Sequence, residues 1–267
     1  MAGGCSSPTS ERPSNNVSLT SSHLLLLTSF FFLLTSCTGS LSPLSHKLKI
    51  GEEPYVVFTA DGEGGTGDLF ASPVGGGTVY QVTFTRLNEH LPRLNPDGSM
   101  LAFVRGDGST AAVWVMNLLN GAERRVTEQG GAEPLGLAWS ADSKTVYVRI
   151  ANGVLAAAAP PAGPSVTSLE GQALAAGDSV LAVLVGDPVA GEVVSCSSGG
   201  GLCVRLGDQS QQLDSAGTEP LRWGADSVAY RVGDQFVIRP LAGGTTRALR
   251  WSKRLEHPRE LTYFAPQ

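Results

Sequence analysis

The sequence predicts an all-β protein, a β-propeller of about five four-stranded blades, and three observations support this fold class. Gly 33 and Pro 16 are frequent among the 267 residues and charged residues make up only 16%, as in proteins of many short strands and turns. A turn motif recurs roughly every 40 residues, which is the spacing of propeller blades. A segment near the carboxyl end also repeats an earlier segment that leads into a strand, which predicts that the ring is closed by the last strand.

The amino-terminal segment predicts export. Residues 24–34 (LLLLTSFFFLL) form an apolar run shorter than the roughly 20 residues that span a bilayer, and its length suits a signal peptide. The residues that follow, Leu34-Thr35-Ser36-Cys37, resemble the lipobox of bacterial lipoproteins. That resemblance implies cleavage after residue 36 and acylation of Cys37, which would anchor the protein to the cell envelope.

Two alternatives remain for this segment, because the stretch before the apolar run is long and contains Arg12 but no lysine. The run could belong to an ordinary signal peptide with an incidental cysteine, or to a membrane helix or a chain that starts further in. With lipidation, residues 1–36 are the lipoprotein signal peptide, 37–50 the lipidated cysteine and a flexible Ser-rich tether, and 51–267 the propeller. Thr38 replaces the Asp that retains some lipoproteins in the inner membrane, which favours the outer membrane if the organism has one.

The repeat unit begins with a tight turn and continues with an apolar strand. An Asp followed by Gly or Ser marks the turn, because Asp accepts backbone N–H bonds and Gly permits positive φ. The four turns contain Asp97, Asp142, Asp178 and Asp226. An alternating strand such as 113–116 (VWVM) and a shorter strand ending in Val-Thr complete the unit, so each repeat predicts one blade.

One repeat resembles a known family. Residues 91–103 (LPRLNPDGSMLAF), 113–117 (VWVMN) and 124–127 (RRVT) look like the Pro-Asp-Gly propeller repeat of the TolB-like family. The match is fair around Trp139 and weak around Asp178, and the repeats together cover roughly residues 53–264. The resemblance implies a cell-envelope propeller that binds other proteins, although no α/β domain precedes the repeats here as it does in that family.

The two ends of the repeat region predict how the ring closes. Residues 254–261 (RLEHPREL) echo residues 86–94 (RLNEHLPRL), which lead into an inner strand. The first repeat lacks such a strand, so we expect Leu261 to Phe264 to complete the first blade and to leave no open edge. Six blades would require splitting the region from Gln172 to Ser215, which fits one ordinary blade.

Cys196 and Cys203 flank a Gly-rich loop. A hairpin centred on this loop would place the two residues directly opposite each other, close enough for a disulfide. Export makes oxidation plausible, and the alternative is a pair of reduced thiols on a surface hairpin. Metal binding is not expected, because the sequence has no second cysteine pair and no histidine nearby.

The sequence contains no motif that would indicate an enzyme or a nucleic-acid-binding protein. Neither of the two histidines after the tether, His90 and His257, belongs to a His-x-x-x-His pair, and no Gly-x-Ser-x-Gly elbow or phosphate-binding Gly-rich loop occurs. A formal net charge of −5 argues against nucleic-acid binding. We therefore expect no catalytic residue, no metal and no cofactor.

Charged residues recur in the segments that lead into the predicted inner strands. In a propeller these segments surround one mouth of the central channel, where a ring of charge focuses the electrostatic field on the axis. The ring and its neighbours are Glu89, His90, Arg93, Glu133, Glu170, Glu219, Arg222, Glu256, His257 and Arg259. They predict a docking surface for a cationic or mixed-charge partner segment, and the alternative is a set of solvated loop carboxylates.

Two functions from different classes follow from these observations. The first is a non-enzymatic, lipid-anchored and monomeric scaffold that binds an envelope protein or peptide at the channel mouth and contacts the membrane only through its anchor. The second is an envelope glycan-binding or glycoside-hydrolysing propeller, which would need two carboxyl groups about 5–10 Å apart, one with a raised pKa.

Overall fold

A computed structural model describes residues 44–62, 64–169, 193–196, 200–206, 209–224 and 226–266. The predicted signal peptide, Cys37, the turn at Asp178 and Glu170 lie outside these ranges. No helix among the described residues is both long enough and apolar enough to cross a membrane.

The described residues form five antiparallel sheets, which confirms the predicted all-β propeller with about five blades. The first sheet contains β1 (Tyr55–Asp61), β2 (Gly67–Pro73), β3 (Tyr80–Gln81) and β19 (Glu256–Phe264). The second contains β4 (Glu89–Leu94), β5 (Met100–Arg105), β6 (Ala112–Asn117) and β7 (Glu123–Arg125). The third contains β8 (Gly136–Trp139), β9 (Thr145–Ile150), β10 (Gly153–Ala158) and β11 (Val166–Ser168).

The fourth and fifth sheets follow in chain order. Three described strands form the fourth sheet, β12 (Val193–Ser195), β13 (Leu202–Leu206) and β14 (Gln209–Asp214). The fifth contains β15 (Thr218–Trp223), β16 (Ser227–Val232), β17 (Gln235–Pro240) and β18 (Arg247–Ala248). The described residues between 172 and 215 thus belong to one sheet, in agreement with the interpretation of this region as a single blade.

The carboxyl-terminal strand completes the first blade, as the sequence predicts. Strand β19 pairs antiparallel with β1, and Tyr55 lies opposite Phe264 while Asp61 lies opposite Glu256. The first sheet therefore has the order β19-β1-β2-β3, in which the innermost strand comes from the other end of the chain.

The central strands of the first and second sheets are apolar on both faces, because each of these sheets is packed between two others. In β1, Tyr55 and Val57 pack against the second sheet, whereas Val56 and Phe58 pack against the fifth. Alternate residues of a strand point to opposite faces, so a sheet buried on both faces needs a continuous apolar run. Strand β5 repeats this arrangement between the first and third sheets.

The segment before β1 is folded onto the propeller. A 3₁₀ turn (Leu44–His46) begins it, and Leu44, Leu48 and Ile50 are buried in the same apolar cluster as Tyr55 and Phe264. We call residues 44–50 the strap. The strap therefore belongs with the propeller and not with the flexible tether that the sequence predicts for residues 37–50. The reason is that its three apolar side chains are buried between the first two sheets.

Cys196 and Cys203 form the predicted disulfide, with an S–S distance of 2.09 Å. The two residues are not directly opposite, since Cys203 lies across from Val194 and the N–H of Cys196 donates to the carbonyl of Gly201. Diagonal neighbours on one face of a strand pair still come close, and here the Cα atoms are 5.1 Å apart.

Gly98 lies where the turn after β4 contacts the ring-closing strand. Its φ is +72°, and a Cβ there would lie 2.6 Å from the ring of Phe264. We expect Gly98→Ala to lower the free energy of unfolding by about 1–3 kcal/mol more than Gly224→Ala, which has a similar φ of +67° but no atom within 4 Å. Urea unfolding of the two variants measures the difference, and equal losses would show that the contact with Phe264 contributes nothing.

Candidate functional site

The sheets give the molecule two distinct ends. The inner strands β4, β8, β15 and β19 all run in the same direction, so their first residues share one end of the sheets and their last residues share the other. We call the end where the inner strands begin the mouth face, and the end where they finish the strap face. Asp61 and Glu256 lie on the mouth face, and Tyr55 and Phe264 lie on the strap face.

Three inner strands contain a β-bulge near the mouth face. The register of the strand pairs shifts between His90 and Arg93, between Thr218 and Leu221, and in β19 where it pairs with Val57 and Thr59. At these bulges Leu91, Glu219 and Glu260 have φ values of 52°, 54° and 56°. A left-handed conformation of a residue other than glycine costs roughly 1–3 kcal/mol, so the surrounding contacts must stabilise it.

Glutamate side chains connect these bulges across the blades. Glu219 Oε2 accepts a hydrogen bond of 2.6 Å from the N–H of Glu260, and Glu260 Oε2 accepts one of 2.7 Å from the N–H of Leu91. The hydroxyl of Thr59 donates to the same oxygen of Glu260 at 2.9 Å. This bulge network (Thr59, Leu91, Glu219, Glu260) therefore runs from the fifth blade through the first to the second.

Two arginines balance the carboxylates of the bulge network. Burial lowers the pKa of Arg93, while the nearby charges of Glu260 and Glu219 act in the opposite direction. Arg231 donates to Glu219 Oε1 from both Nε and Nη2, each at 2.9 Å. The inner wall thus carries charges of both signs, and Arg93, which is half-buried, lies within the electrostatic influence of two carboxylates.

A second charged cluster lies at the rim of the first blade. Asp61 accepts hydrogen bonds from Arg259 Nη1 at 2.9 Å and contacts His257 Nδ1 at 2.7 Å. Burial alone would raise the pKa of Asp61, but the hydrogen bonds and charges of Arg259 and His257 outweigh it and hold that pKa below its ordinary value. The His257 side chain is 71% exposed, so this cluster is accessible from solvent.

Glu89 is not exposed at the mouth. It is fully buried, accepts a 2.9 Å hydrogen bond from Arg105 Nε and a further one from Thr85, and Arg105 also binds Glu123 at 2.7 Å. The guanidinium of Arg105 lies 4.7 Å from the ring centroid of Trp114. Glu89 is therefore a buried ion-pair partner between the first two blades rather than a carboxylate presented to a ligand.

The other predicted mouth residues occupy different environments. His90 Nε2 lies 3.8 Å from Asp107 on the mouth face, and Glu133 is exposed in the loop before β8. Arg222 lies at the far end of β15, where it donates to the carbonyl of Gly224 at 3.2 Å, so its backbone is on the strap-face side. Glu170 lies outside the described residues, and Glu256 is exposed at the start of β19.

The structure thus brings His257 and Arg259 together at Asp61 and places Arg93 within the electrostatic influence of Glu219. The four described glutamates of the predicted ring, Glu89, Glu133, Glu219 and Glu256, differ in their environments. Sequence reasoning missed Glu260, Asp61 and Arg231, which supply most of the contacts. Glu219-Pro220 resembles Leu91-Pro92 in the sequence and could have indicated equivalent bulges, but no sequence signal indicates that Glu260 occupies the same position.

A buried carboxyl pair lies beside the mouth between the first two blades. Asp68 is 4% exposed, and burial together with a hydrogen bond to Glu89 and its charge raises the pKa of Asp68 to about 7. Gln81 donates to Asp68 Oδ2 at 3.0 Å, and Asp68 lines an open pocket of about 550 Å³ with Thr66 and Arg86. No group of three or more metal-binding side chains occurs among the described residues.

Comparisons with known proteins concern the fold alone. No protein-family model and no curated protein matches the chain. The chain is similar to the crystal structure of TolB from Acinetobacter baumannii, with 13% identity and a TM-score of 0.49 over 91% of this chain and 71% of that one. It is also similar to the β-propeller domain of the Trilobed protease from Pyrococcus furiosus (10% identity, TM-score 0.34, 73% of this chain and 80% of that one). A chain of the Nidogen/Laminin complex matches at 12% identity and a TM-score of 0.36, over 75% of this chain and 61% of that one.

The raised pKa of Asp68 makes the stability of the protein depend on pH. Between the ordinary aspartate range and about pH 7 the folded state keeps a proton that the unfolded state releases, so the free energy of unfolding falls as the pH rises. We expect Asp68→Asn to remove this decrease, on the order of 1–3 kcal/mol, in urea unfolding between pH 5 and about 8. Asp142→Asn is the control, because the pKa of Asp142 is already lowered by its hydrogen bond from Ser140 and it stays ionised throughout this range. The same decrease in both variants would contradict the assignment.

The bulge network predicts a large cost for the loss of Glu260. Glu260→Ala removes the acceptor for the Leu91 N–H and the Thr59 hydroxyl and one negative charge beside Arg93. We expect the free energy of unfolding to fall by about 2–4 kcal/mol, measured by urea unfolding. The exposed Glu256→Ala in the same strand should change it by less than about 0.5 kcal/mol. A similar effect of both substitutions would show that the network does not stabilise the fold.

Proposed function

We propose that this protein is an exported propeller, tethered to the cell envelope through acylated Cys37, that binds a protein or peptide segment at its mouth face and catalyses no reaction. The observation that carries the proposal is the concentration of paired charges at the mouth face of the fifth, first and second blades. These groups are held by one another and by the backbone, so they offer a rigid charged surface to a partner.

The charge pattern favours a partner segment of mixed charge. Exposed Glu256 and His257 lie on the rim with Asp61 and Arg259. The half-buried Arg93 is within the electrostatic influence of Glu219 and Glu260. A polypeptide with both basic and acidic groups can complement the rim and the wall together, and electrostatic complementarity of this kind gives specificity and fast association.

Export is supported by two features of the chain. The Cys196–Cys203 disulfide is a bond that persists in oxidising compartments outside the cytosol. The apolar run and the residues before Cys37 supply a signal peptide and an acylation site of the bacterial lipoprotein type. Mass spectrometry of the mature amino terminus tests both export and acylation.

The binding proposal is tested by substitution of a single exposed charge on each face. Acylated protein is purified from detergent-solubilised envelope, and we expect one envelope protein to co-purify in a fixed ratio. Glu256→Lys on the mouth face should reduce that ratio at least tenfold, about 1.4 kcal/mol, while Glu52→Lys next to the strap should leave it unchanged. Equal recovery with both variants, or no partner with the unchanged protein, would overturn docking at the mouth.

Glycan binding or hydrolysis is the second candidate, favoured by the pKa of Asp68. A carboxyl group with a pKa of about 7 is suited to act as a general acid near neutral pH, and Asp68 lines an open pocket. The neighbouring Glu89 is fully buried, however. Water and a sugar would therefore have to pass the side chain of Asp68 to reach the carboxylate of Glu89. Hydrolysis of envelope glycan that is lost in Asp68→Asn and retained in Glu256→Lys would establish this second function in place of the first.

A further inference from the structure

An open pocket of about 550 Å³ lies at the mouth-face end of the first blade. It is bounded by the turn between β1 and β2, by the start of β2 and by the segment that joins β3 to β4. Asp68 lines it beside Gly67, which pairs with Asp61 at the end of β1. The other side chains on its walls include Thr66, Gln81, Phe84 and Arg86. The pocket therefore lies at the same end of the sheets as the charged rim of the first blade.

Asp68 and its neighbour Glu89 lack hydrogen-bond donors. Asp68 is 4% exposed and Glu89 is fully buried, and burial of a carboxylate is costly unless donors surround it. Gln81 donates to Asp68 Oδ2, but within the described residues no hydroxyl, amide or cationic group donates to Asp68 Oδ1 or Glu89 Oε2. The two acids are hydrogen-bonded to each other, and carboxylates are acceptors only, so they share a proton. The pair is therefore suited to a ligand that supplies donors and positive charge.

The described charged groups around this acid pair leave Asp68 without a cationic partner. Glu89 binds Arg105, and Arg105 also binds Glu123, so one guanidinium serves two carboxylates. Other charged side chains at this end of the first two blades include Arg86, exposed on the pocket wall, Arg259 and His257, which bind Asp61, and His90, near Asp107. A cation that enters the pocket can therefore replace the proton that Asp68 shares with Glu89.

The pocket is better suited to an ammonium group than to a metal ion. A calcium ion takes about six to eight oxygen ligands, and the described residues contain no group of three or more metal-binding side chains. A lysine ammonium is a compact charge with N–H donors only, carried on an apolar stem. Phe84, which is 59% exposed on the pocket wall, offers an apolar surface to that stem, and the Thr66 hydroxyl offers a further acceptor.

We infer that this pocket binds a lysine side chain of the docking partner, with the lysine ammonium paired to Asp68 and its methylene stem against Phe84. This inference deepens the proposed docking function and rests on it for the source of the lysine. The ammonium displaces the proton that the acid pair shares, so one proton leaves the protein for each lysine bound. The pocket and the charged rim lie at the same end of the first blade, so one partner can contact both.

Calorimetric titration of the full chain with the peptide acetyl-Gly-Lys-Gly-amide tests this site without the envelope partner. Lysine stays charged from pH 6 to about 8, whereas Asp68, with a pKa of about 7, loses its proton in this range. We therefore expect the association constant to rise about tenfold from pH 6 to pH 8, with about one proton released per peptide at pH 6. The dependence of the heat on the ionisation enthalpy of the buffer measures that proton. The same peptide with an acetylated lysine should not bind.

Substitutions locate the binding in this pocket. Asp68→Asn keeps the size of the side chain and an oxygen for Gln81, but it removes the charge, so we expect it to abolish both binding and proton release. Asp142→Asn, at an exposed carboxylate outside the pocket, should change neither. Phe84→Ser should weaken binding at least about threefold, because the lysine stem loses its apolar contact. Leu135→Ser, at another exposed apolar side chain, should leave the affinity unchanged.

Three results would overturn the lysine site: no binding by the unchanged protein, binding that persists in Asp68→Asn, or an affinity that stays constant between pH 6 and pH 8. The last of these needs no variant, so it applies even where a substitution impairs folding. None of the three depends on recovery of an envelope protein. A failed co-purification would instead overturn docking at the mouth, and the titration would still decide whether the pocket binds lysine.

Discussion

The pairing of β1 with β19 is the contact on which the other features of the mouth depend. It joins residues 55–61 to residues 256–264, nearly the full length of the propeller apart in sequence. Through this pairing His257 and Arg259 reach Asp61, and Glu260 reaches Thr59 and the bulge of the second blade. The inner strand of the first blade comes from the far end of the chain. The strand pairing that completes this blade therefore also brings together the charged residues of the rim.

The inner wall combines backbone strain with half-buried, paired charges. Four non-glycine residues adopt positive φ at the bulges, Leu91, Glu219, His257 and Glu260. The N–H groups of Leu91 and Glu260 each donate to a glutamate oxygen of the preceding blade. Strained backbone persists only where surrounding contacts hold it, so this arrangement stabilises the ring only if it remains complete. The same completeness makes the wall rigid, and a rigid surface loses little entropy when it binds a partner.

The two faces differ in chemistry as well as in position. On the strap face, aliphatic side chains of the strap and the ring of Phe264 pack between the first two blades, whereas the mouth face carries carboxylates, arginines and histidines. Burial of apolar area holds the strap in place, and hydrogen-bonded charge organises the mouth. The two ends of the sheets are thus held by different interactions, with the length of a strand between them.

The sequence by itself determined the repeat, the blade count, the ring-closing strand and the disulfide pair, because turn residues and apolar runs recur locally and the echo of residues 86–94 near residue 254 is visible without a structure. It also located His257, Arg259, Arg93 and Glu219 near the mouth. Only the tertiary structure decided that Glu89 is buried with Arg105, that Arg222 lies towards the strap face, and that Glu260 connects two bulges. A bulge shifts the register by one residue and so reverses which side chains point inward, and that shift depends on contacts between blades rather than on local sequence.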